Sequence, residues 1–136
     1  MLDESTGALA LVIDKWDRKV DEKGHTLVEY AGRGLSFPDD STEPPAEGSY
    51  VGTYKLKPDG SWTGAGTGTE TFKGGDTTNY TWEEGPTEGT YKYTGGTGKY
   101  KGVSGGGTYK LYAGYTYEIV PGTLQVCKYK DQIVLP

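Results

Sequence analysis

The chain has 136 residues, the length of one ordinary domain, and it is rich in glycine and tyrosine, with 23 Gly and 12 Tyr. Threonine and aromatic residues favour strands while glycine disfavours helix interiors, so the composition indicates an all-β fold. The net charge of −5 argues against a nucleic-acid-binding surface, because such a surface requires a basic patch or stripe.

Strand-like runs recur along the chain between clusters of glycine, proline and aspartate. The run ALALVID at 8–14 is followed by a charged stretch, and HTLVEYAGRG occupies 25–34. Residues 35–48 hold three prolines and four acids without periodicity, which predicts an exposed acidic, Pro-rich loop. The later runs lie at 49–57, 61–72, 77–82, 87–95, 107–120 and 124–135. No run keeps the period of an amphipathic helix, so we expect about eight strands in one domain over residues 1–136.

Alternation gives most of these runs one aromatic face and one face of Thr, Lys and Glu. A sheet with one apolar side buries that side by closing on itself, which predicts a barrel. The alternation allows the aromatic face to line the lumen or to pack against partner subunits, and we expect the lumen for most of it. The candidate ligand-binding residues on this face are Tyr54, Trp62, Tyr80, Trp82, Tyr91, Tyr109 and Tyr115.

Seven glycines fall within YTGGTGKYKGVSGGGTYKL at 93–111. A phosphate-binding loop is excluded, because Tyr93 stands where that motif requires its first glycine and Tyr100 where it requires Ser or Thr. A flexible linker would lack the apolar residues Tyr100 and Val103. The stretch therefore predicts a strand–turn–strand unit in which glycine allows positive φ and close backbone approach.

This stretch resembles the signature of the allene oxide cyclase barrel superfamily, which includes the plant dirigent proteins. The matching positions are Thr94, Gly95, Gly96, Thr97, Gly98, Tyr100, Gly102 and Gly105. The resemblance implies an eight-stranded antiparallel up-and-down barrel of the calycin type, assembled as a homo-oligomeric trimer or dimer. It also implies cofactor-free chemistry on a small hydrophobic or phenolic ligand, with no metal. The matched residues carry structure, and no catalytic residue of the family can be transferred to this chain by a motif.

Glu29 and Arg33 are the candidate catalytic pair, because they stand four residues apart on one face of a predicted strand. If that face points inward, they form a buried acid and its partner. The alternative is that this face points to solvent while Val28 and Tyr30 pack inside. Cys127 is the only cysteine and lies in an alternating apolar run, so we expect it to pack as a small hydrophobe.

Two functions follow from these observations. The first is a cofactor-free cyclase or isomerase, which requires an open lumen with a buried ionisable group. The second is a non-catalytic ligand carrier or secreted structural barrel, with a lumen that is filled or lined only by apolar groups. No apolar run is long enough to span a membrane and no basic signal region opens the chain, so we expect a cytoplasmic protein or a mature secreted domain lacking its signal peptide.

Overall fold

A computed structural model describes residues 2–111 and 124–136. Within these residues eight antiparallel strands form a closed barrel in sequence order, which confirms the predicted all-β, eight-stranded barrel. The strands are β1 (Leu2–Val20), β2 (Thr26–Pro38), β3 (Ala46–Leu56), β4 (Trp62–Thr71), β5 (Thr77–Glu84), β6 (Glu88–Gly96), β7 (Ser104–Leu111) and β8 (Leu124–Val134). No helix in these residues is long and apolar enough to cross a lipid bilayer.

Strand β1 closes the barrel because it pairs with both β2 and β8. Its first half runs beside β8, from Leu2 opposite Val134 to Val12 opposite Leu124, and its longer pairing with β2 ends at Val20 opposite Thr26. A bulge between Ile13 and Lys15 interrupts the β2 pairing. The extra residue reverses which side of the strand faces inward.

The bulge explains why β1 extends beyond the predicted strand at 8–14. Before it, Leu11 and Ile13 face the core, and after it Trp16 packs against that core. The charged residues that follow Trp16 are exposed, so the charged stretch is the solvent-facing continuation of the same strand.

The predicted loop at 35–48 is shorter in the structure. Strand β2 continues to Pro38 and β3 begins at Ala46, which is 2% exposed. Prolines fit the ends of strands, where the missing N–H breaks no interior ladder, and this is why the proline-rich composition overstates the loop. The connection between the two strands is residues 39–45.

The glycine-rich stretch at 93–111 forms the predicted strand–turn–strand unit, with a short 3-10 turn (Gly98–Tyr100) between β6 and β7. Gly98 has φ of 59° and Gly105 has φ of 98°, a region that residues with a Cβ rarely adopt. Tyr100 and Val103 are buried and anchor the turn to the barrel.

Candidate functional site

The lumen contains a cavity of about 390 Å3, a volume suited to one small molecule. It extends from a rim that includes Glu43, Lys73 and Lys99 to the middle of the barrel at Tyr30 and Tyr54. The rim residues come from strand ends and connections that lie at one end of the barrel.

Aromatic side chains form most of the cavity wall. Five of the predicted ligand-binding residues line it: Tyr54, Tyr80, Trp82, Tyr91 and Tyr109. Their placement in the lumen agrees with the expected direction of the aromatic face, and ligand contact stays a prediction. Trp62 lies behind Tyr54, with ring centroids 5.5 Å apart, and is not part of the cavity lining. Tyr115 lies outside the described residues.

Three of the carboxyl groups that line the same cavity each accept hydrogen bonds from two tyrosine hydroxyls. Glu70 accepts from Tyr50 at 2.8 Å and Tyr80 at 2.9 Å. Asp131, which is 8% exposed, accepts from Tyr91 at 2.5 Å and Tyr93 at 2.6 Å.

The third carboxyl group, Glu84, lies deeper along the same wall. It accepts from Tyr54 at 3.1 Å and from Tyr109 at 2.9 Å. The three carboxyl–tyrosine clusters therefore bring together residues from β3 to β8, and each hydrogen bond joins strands that are adjacent or one strand apart in the sheet.

Burial raises the pKa of all three carboxyl groups, because removal from water disfavours the ionised form. For Glu70 the burial effect outweighs the hydrogen bonds from Tyr50 and Tyr80, which lower the pKa, and the result is a pKa of about 7. Such a group is divided between its acid and its carboxylate at neutral pH, which is the condition for efficient proton transfer in either direction.

One oxygen of Glu70 distinguishes this carboxyl group from the other two. Its Oε1 accepts both tyrosine hydroxyls, whereas its Oε2 is buried and has no hydrogen-bond partner among the described residues. Ser36 lies close enough to lower the Glu70 pKa, but it forms no hydrogen bond to Oε2. An unpaired buried oxygen costs about 1–3 kcal/mol, so this atom favours the protonated form of the Glu70 carboxyl group.

The tyrosines around these groups remain protonated donors. Burial is the main cause of the raised pKa of Tyr50, Tyr80, Tyr91 and Tyr109, and the adjacent carboxyl group adds to it. Their hydroxyls therefore orient the carboxyl groups and do not compete with them as acids near neutral pH.

Glycines opposite the aromatic residues keep the lumen open. A Cβ at Gly68 of β4 would lie 2.5 Å from Cζ of Tyr80, and a Cβ at Gly64 or Gly89 would collide with the ring of Tyr54 or Tyr109. Because each ring lies flat over a glycine backbone, its hydroxyl reaches along the wall to a carboxyl group rather than into the cavity centre.

Glu29 and Arg33 do not lie in the lumen, so the inward-facing interpretation of this pair is wrong. The Glu29 side chain is 55% exposed and binds Lys15 at 3.1 Å, while the Arg33 side chain is 75% exposed and binds Asp14 at 3.1 Å. The alternative is the observed arrangement, because Val28 is fully buried and Tyr30 is 5% exposed. The alternating strand sends neighbouring residues to opposite faces, and the tyrosine takes the inner one.

Glu70, Glu84 and Asp131 were not among the predicted site residues, although the strand period contains a signal for each. Glu70 lies on the face of β4 that carries Trp62, and Glu84 follows Trp82 by two residues on β5. Asp131 stands in the same relation to Tyr129 on β8. An acid in step with aromatic residues is the pattern that identifies these positions.

Cys127 also lines the cavity, and it packs as the small hydrophobe that its sequence context predicts. Burial raises the pKa of its thiol to about 12, so the thiol is protonated at neutral pH. Among residues 2–111 and 124–136, no group of three or more His, Cys, Asp and Glu side chains is placed to hold a metal ion.

Comparison with solved structures identifies two dirigent proteins with the same architecture. The pterocarpan synthase dirigent protein PsPTS1 matches with a TM-score of 0.61 and 15% identity, over 99% of this chain and 96% of its own. The pterocarpan synthase dirigent protein GePTS1 matches with a TM-score of 0.60 and 14% identity, over 98% of this chain and 89% of its own.

The sequence comparisons give no such match. No family model matches the chain, and no curated protein matches it significantly. The resemblance noted in residues 94–111 is thus confirmed by three-dimensional structure. The chain has the same eight-stranded antiparallel barrel fold as these two dirigent proteins.

Proposed function

We propose that the barrel binds a small hydrophobic or aromatic molecule in its lumen and steers its cyclisation or isomerisation without a cofactor. The observation that carries this proposal is a cavity of about 390 Å3 whose aromatic wall holds three tyrosine-bound carboxyl groups. A carrier needs only apolar contacts, whereas buried ionisable groups are costly to maintain and mark proton-transfer sites. That the two structural neighbours are pterocarpan synthases is in keeping with a synthase role.

Glu70 is the group proposed to move the proton. Its pKa of about 7 lets it take a proton from a phenolic hydroxyl and give one to a carbon atom next to a carbonyl group within the same turnover. Tyr50 and Tyr80 donate to its Oε1 and hold the carboxyl group in the cavity wall, where it can exchange a proton with the substrate. Rotation of the substrate is limited by the rings of Trp82 and Tyr91, which favours one reactive conformer.

The test uses 2′-hydroxychalcone as a probe, because it cyclises to a flavanone by one intramolecular addition. Its phenolic oxygen bonds to the alkene β-carbon while one proton leaves that oxygen and another reaches the α-carbon, so no oxidant or reductant is needed. We expect the protein to accelerate this reaction and to give an excess of one flavanone enantiomer on chiral chromatography. Glu70→Gln is expected to lower the rate by about 100-fold or more, the usual contribution of a general acid or base.

The matched control is Glu29→Gln, which changes the same residue type on the outer wall and is expected to leave the rate unchanged. Quenching of tryptophan fluorescence measures binding separately from turnover. Binding accompanied by racemic flavanone formed at the buffer rate would support the carrier function and reject catalysis of this kind. Self-association as a dimer or trimer also stays a prediction, and sedimentation velocity measures it directly.

A further inference from the structure

The charged groups of the lumen are all of one sign. All 14 Lys and Arg residues of the chain fall within residues 2–111 and 124–136, and every one of them is exposed. The only histidine, His25, is exposed as well. Below the rim, Glu70, Glu84 and Asp131 therefore share the wall with aromatic rings and with no side-chain cation.

Tyrosine hydroxyls are the partners of these carboxyl groups, and hydroxyls bring no positive charge. Each group accepts two such hydrogen bonds, which orient it and leave its charge uncompensated when it is ionised. A buried charge is ordinarily paired with a charge of opposite sign. In this lumen the opposite charge would have to come from a bound ligand.

The rings around the carboxyl groups also favour a positive charge. Tyr80 and Tyr91 lie with ring centroids 5.5 Å apart, and Trp82 lines the same wall. The face of an aromatic ring attracts cations, most strongly for tryptophan, and the attraction grows when water is removed. Carboxylates combined with aromatic faces form a site for an organic cation.

A carboxylate makes a stronger hydrogen bond to a charged donor than to a neutral one, so an ammonium ligand gains more from these groups than a hydroxyl ligand does.

Two lysines at the rim do not reverse this pattern. Lys73 and Lys99 are exposed, and the Lys99 ammonium lies 4.9 Å from the centre of the Tyr100 ring. Asp3 and Glu43 line the same rim, so the entrance carries both signs of charge. Below the rim, the ionisable groups that carry charge among the described residues are all carboxyl groups.

We propose that the preferred ligand of the lumen is an aromatic amine bound as its cation, with the ammonium group at Glu70 and Asp131 and the ring system against Tyr80, Trp82 and Tyr91. This inference rests on the proposed function, because it needs a lumen that admits a small aromatic molecule. It adds a substrate class, since it ranks a cation above a neutral phenol or alcohol of the same shape.

The test compares three probes that share one naphthalene ring and differ in charge. They are 2-(2-naphthyl)ethylamine as the cation, 2-(2-naphthyl)ethanol as the neutral analogue and 2-naphthylacetate as the anion. Isothermal titration calorimetry with the full chain at neutral pH and low salt is expected to show the amine binding at least about 10-fold tighter than the alcohol, the order of one charge-assisted hydrogen bond. The acetate is expected to bind most weakly.

Variants assign the effect to the lumen. Glu70→Gln and Asp131→Asn are each expected to weaken amine binding by about 10-fold while the alcohol affinity changes little. Glu29→Gln, on the outer wall, is expected to leave all three affinities unchanged. Circular dichroism establishes that each variant is folded, and the two lumen variants are independent of each other.

Each result decides between the two proposals. Alcohol binding as tight as amine binding would overturn the inference and leave the proposed lumen-binding function standing. Amine binding that survives both lumen substitutions would place the cation on the acidic outer surface and also overturn it. Failure of all three probes to bind at millimolar concentration would reject lumen binding itself, and the cation inference with it.

Discussion

Glu29 and Glu70 are the same residue type on strands of one barrel, yet their carboxyl groups have opposite properties. Glu29 lies on the outer wall, where the hydrogen bond and charge of Lys15 hold its pKa below the ordinary value. Glu70 lies on the inner wall, where burial raises its pKa to about 7 despite two tyrosine hydrogen bonds. The face of the strand, and not the residue type, decides whether an acid here is a solvated ion or a proton-transfer group.

The two walls also pair their acids differently. Ion pairs between exposed side chains, such as Lys15 with Glu29 and Arg33 with Asp14, join β1 to β2 on the outside and contribute little to stability. On the inside, tyrosines and carboxyl groups from six strands are joined by hydrogen bonds, and no lysine or arginine side chain of the described residues pairs with these carboxyl groups. Three comparisons between matched residues of the two walls test this difference.

The largest effect is expected for aromatic residues of the inner wall. Trp82 is 5% exposed, packs against Tyr30 and Tyr54, and donates a hydrogen bond to the Thr67 carbonyl at 3.1 Å. Trp82→Ala is therefore expected to lower the free energy of unfolding by about 3–5 kcal/mol. Val51, which is 54% exposed on the outer wall, provides the control, and Val51→Ala is expected to change it by less than about 0.5 kcal/mol. Urea unfolding measures both, and comparable losses would show that the inner wall is not the core.

An intermediate effect is expected where a glycine makes room for a tyrosine. In Gly68→Ala the new Cβ meets the Tyr80 ring, so the substitution is expected to lower the free energy of unfolding by about 1–3 kcal/mol and to disturb the hydrogen bond from Tyr80 to Glu70. Gly95→Ala is the matched control, because no heavy atom lies within 4 Å of its Cβ position. Gly95→Ala is expected to be neutral or stabilising by up to about 1 kcal/mol. Equal destabilisation by both substitutions would contradict the packing explanation.

The smallest effect is a pH dependence that separates Glu70 from Glu29. Glu70 titrates at about 7 when folded and at its ordinary value of 4.5 when unfolded, so the folded state binds more protons between these values. Its contribution to stability is therefore complete below the unfolded pKa and is lost as the pH rises through about 7. The free energy of unfolding is therefore expected to decrease between about pH 5 and pH 8. In Glu70→Gln we expect this decrease to be smaller by about 1–2 kcal/mol.

The outer acid changes in the opposite direction. The lowered pKa of Glu29 gives a contribution that is present at neutral pH and is lost only as the pH falls through the folded-state pKa. Glu29→Gln is therefore expected to leave the slope between about pH 5 and pH 8 as it is in the unmodified protein. Thermal unfolding at several pH values measures stability for the unmodified protein, Glu70→Gln and Glu29→Gln. A steeper dependence of stability on pH in Glu70→Gln would reject the placement of Glu70 on the inner wall.

The barrel was predictable because its pattern is local. Alternation on the strands that carry Tyr50, Trp62 and Tyr80 predicts one aromatic face for each of them, and the structure packs that face in or against the core. The glycine-rich turn was predictable for the same reason, since positive φ at Gly98 and Gly105 needs only residues close in sequence.

The candidate site was less predictable because both faces of β2 admit an interpretation. Leu27 and Ala31 share a face with Glu29, while Val28 and Tyr30 share the other face. Because both faces carry apolar residues, their composition alone does not show which face points into the barrel. The bulge between Ile13 and Lys15, which reverses the inward side of β1, has no clear signature in the sequence. Glu70, Glu84 and Asp131 were visible as acids in step with aromatic residues, but nothing local shows that six tyrosines from other positions would reach them.

The sequence by itself determined the strands, their two faces and the glycine turn, because these depend on backbone preferences and a two-residue period. Only the tertiary structure decided which acids are buried. The strand order and register placed Asp131 of β8 against Tyr91 and Tyr93 of β6, and they laid Tyr80 over Gly68 so that its hydroxyl meets Glu70. Burial and pKa are properties of what surrounds a group in space, and those surroundings exist only when the barrel is closed.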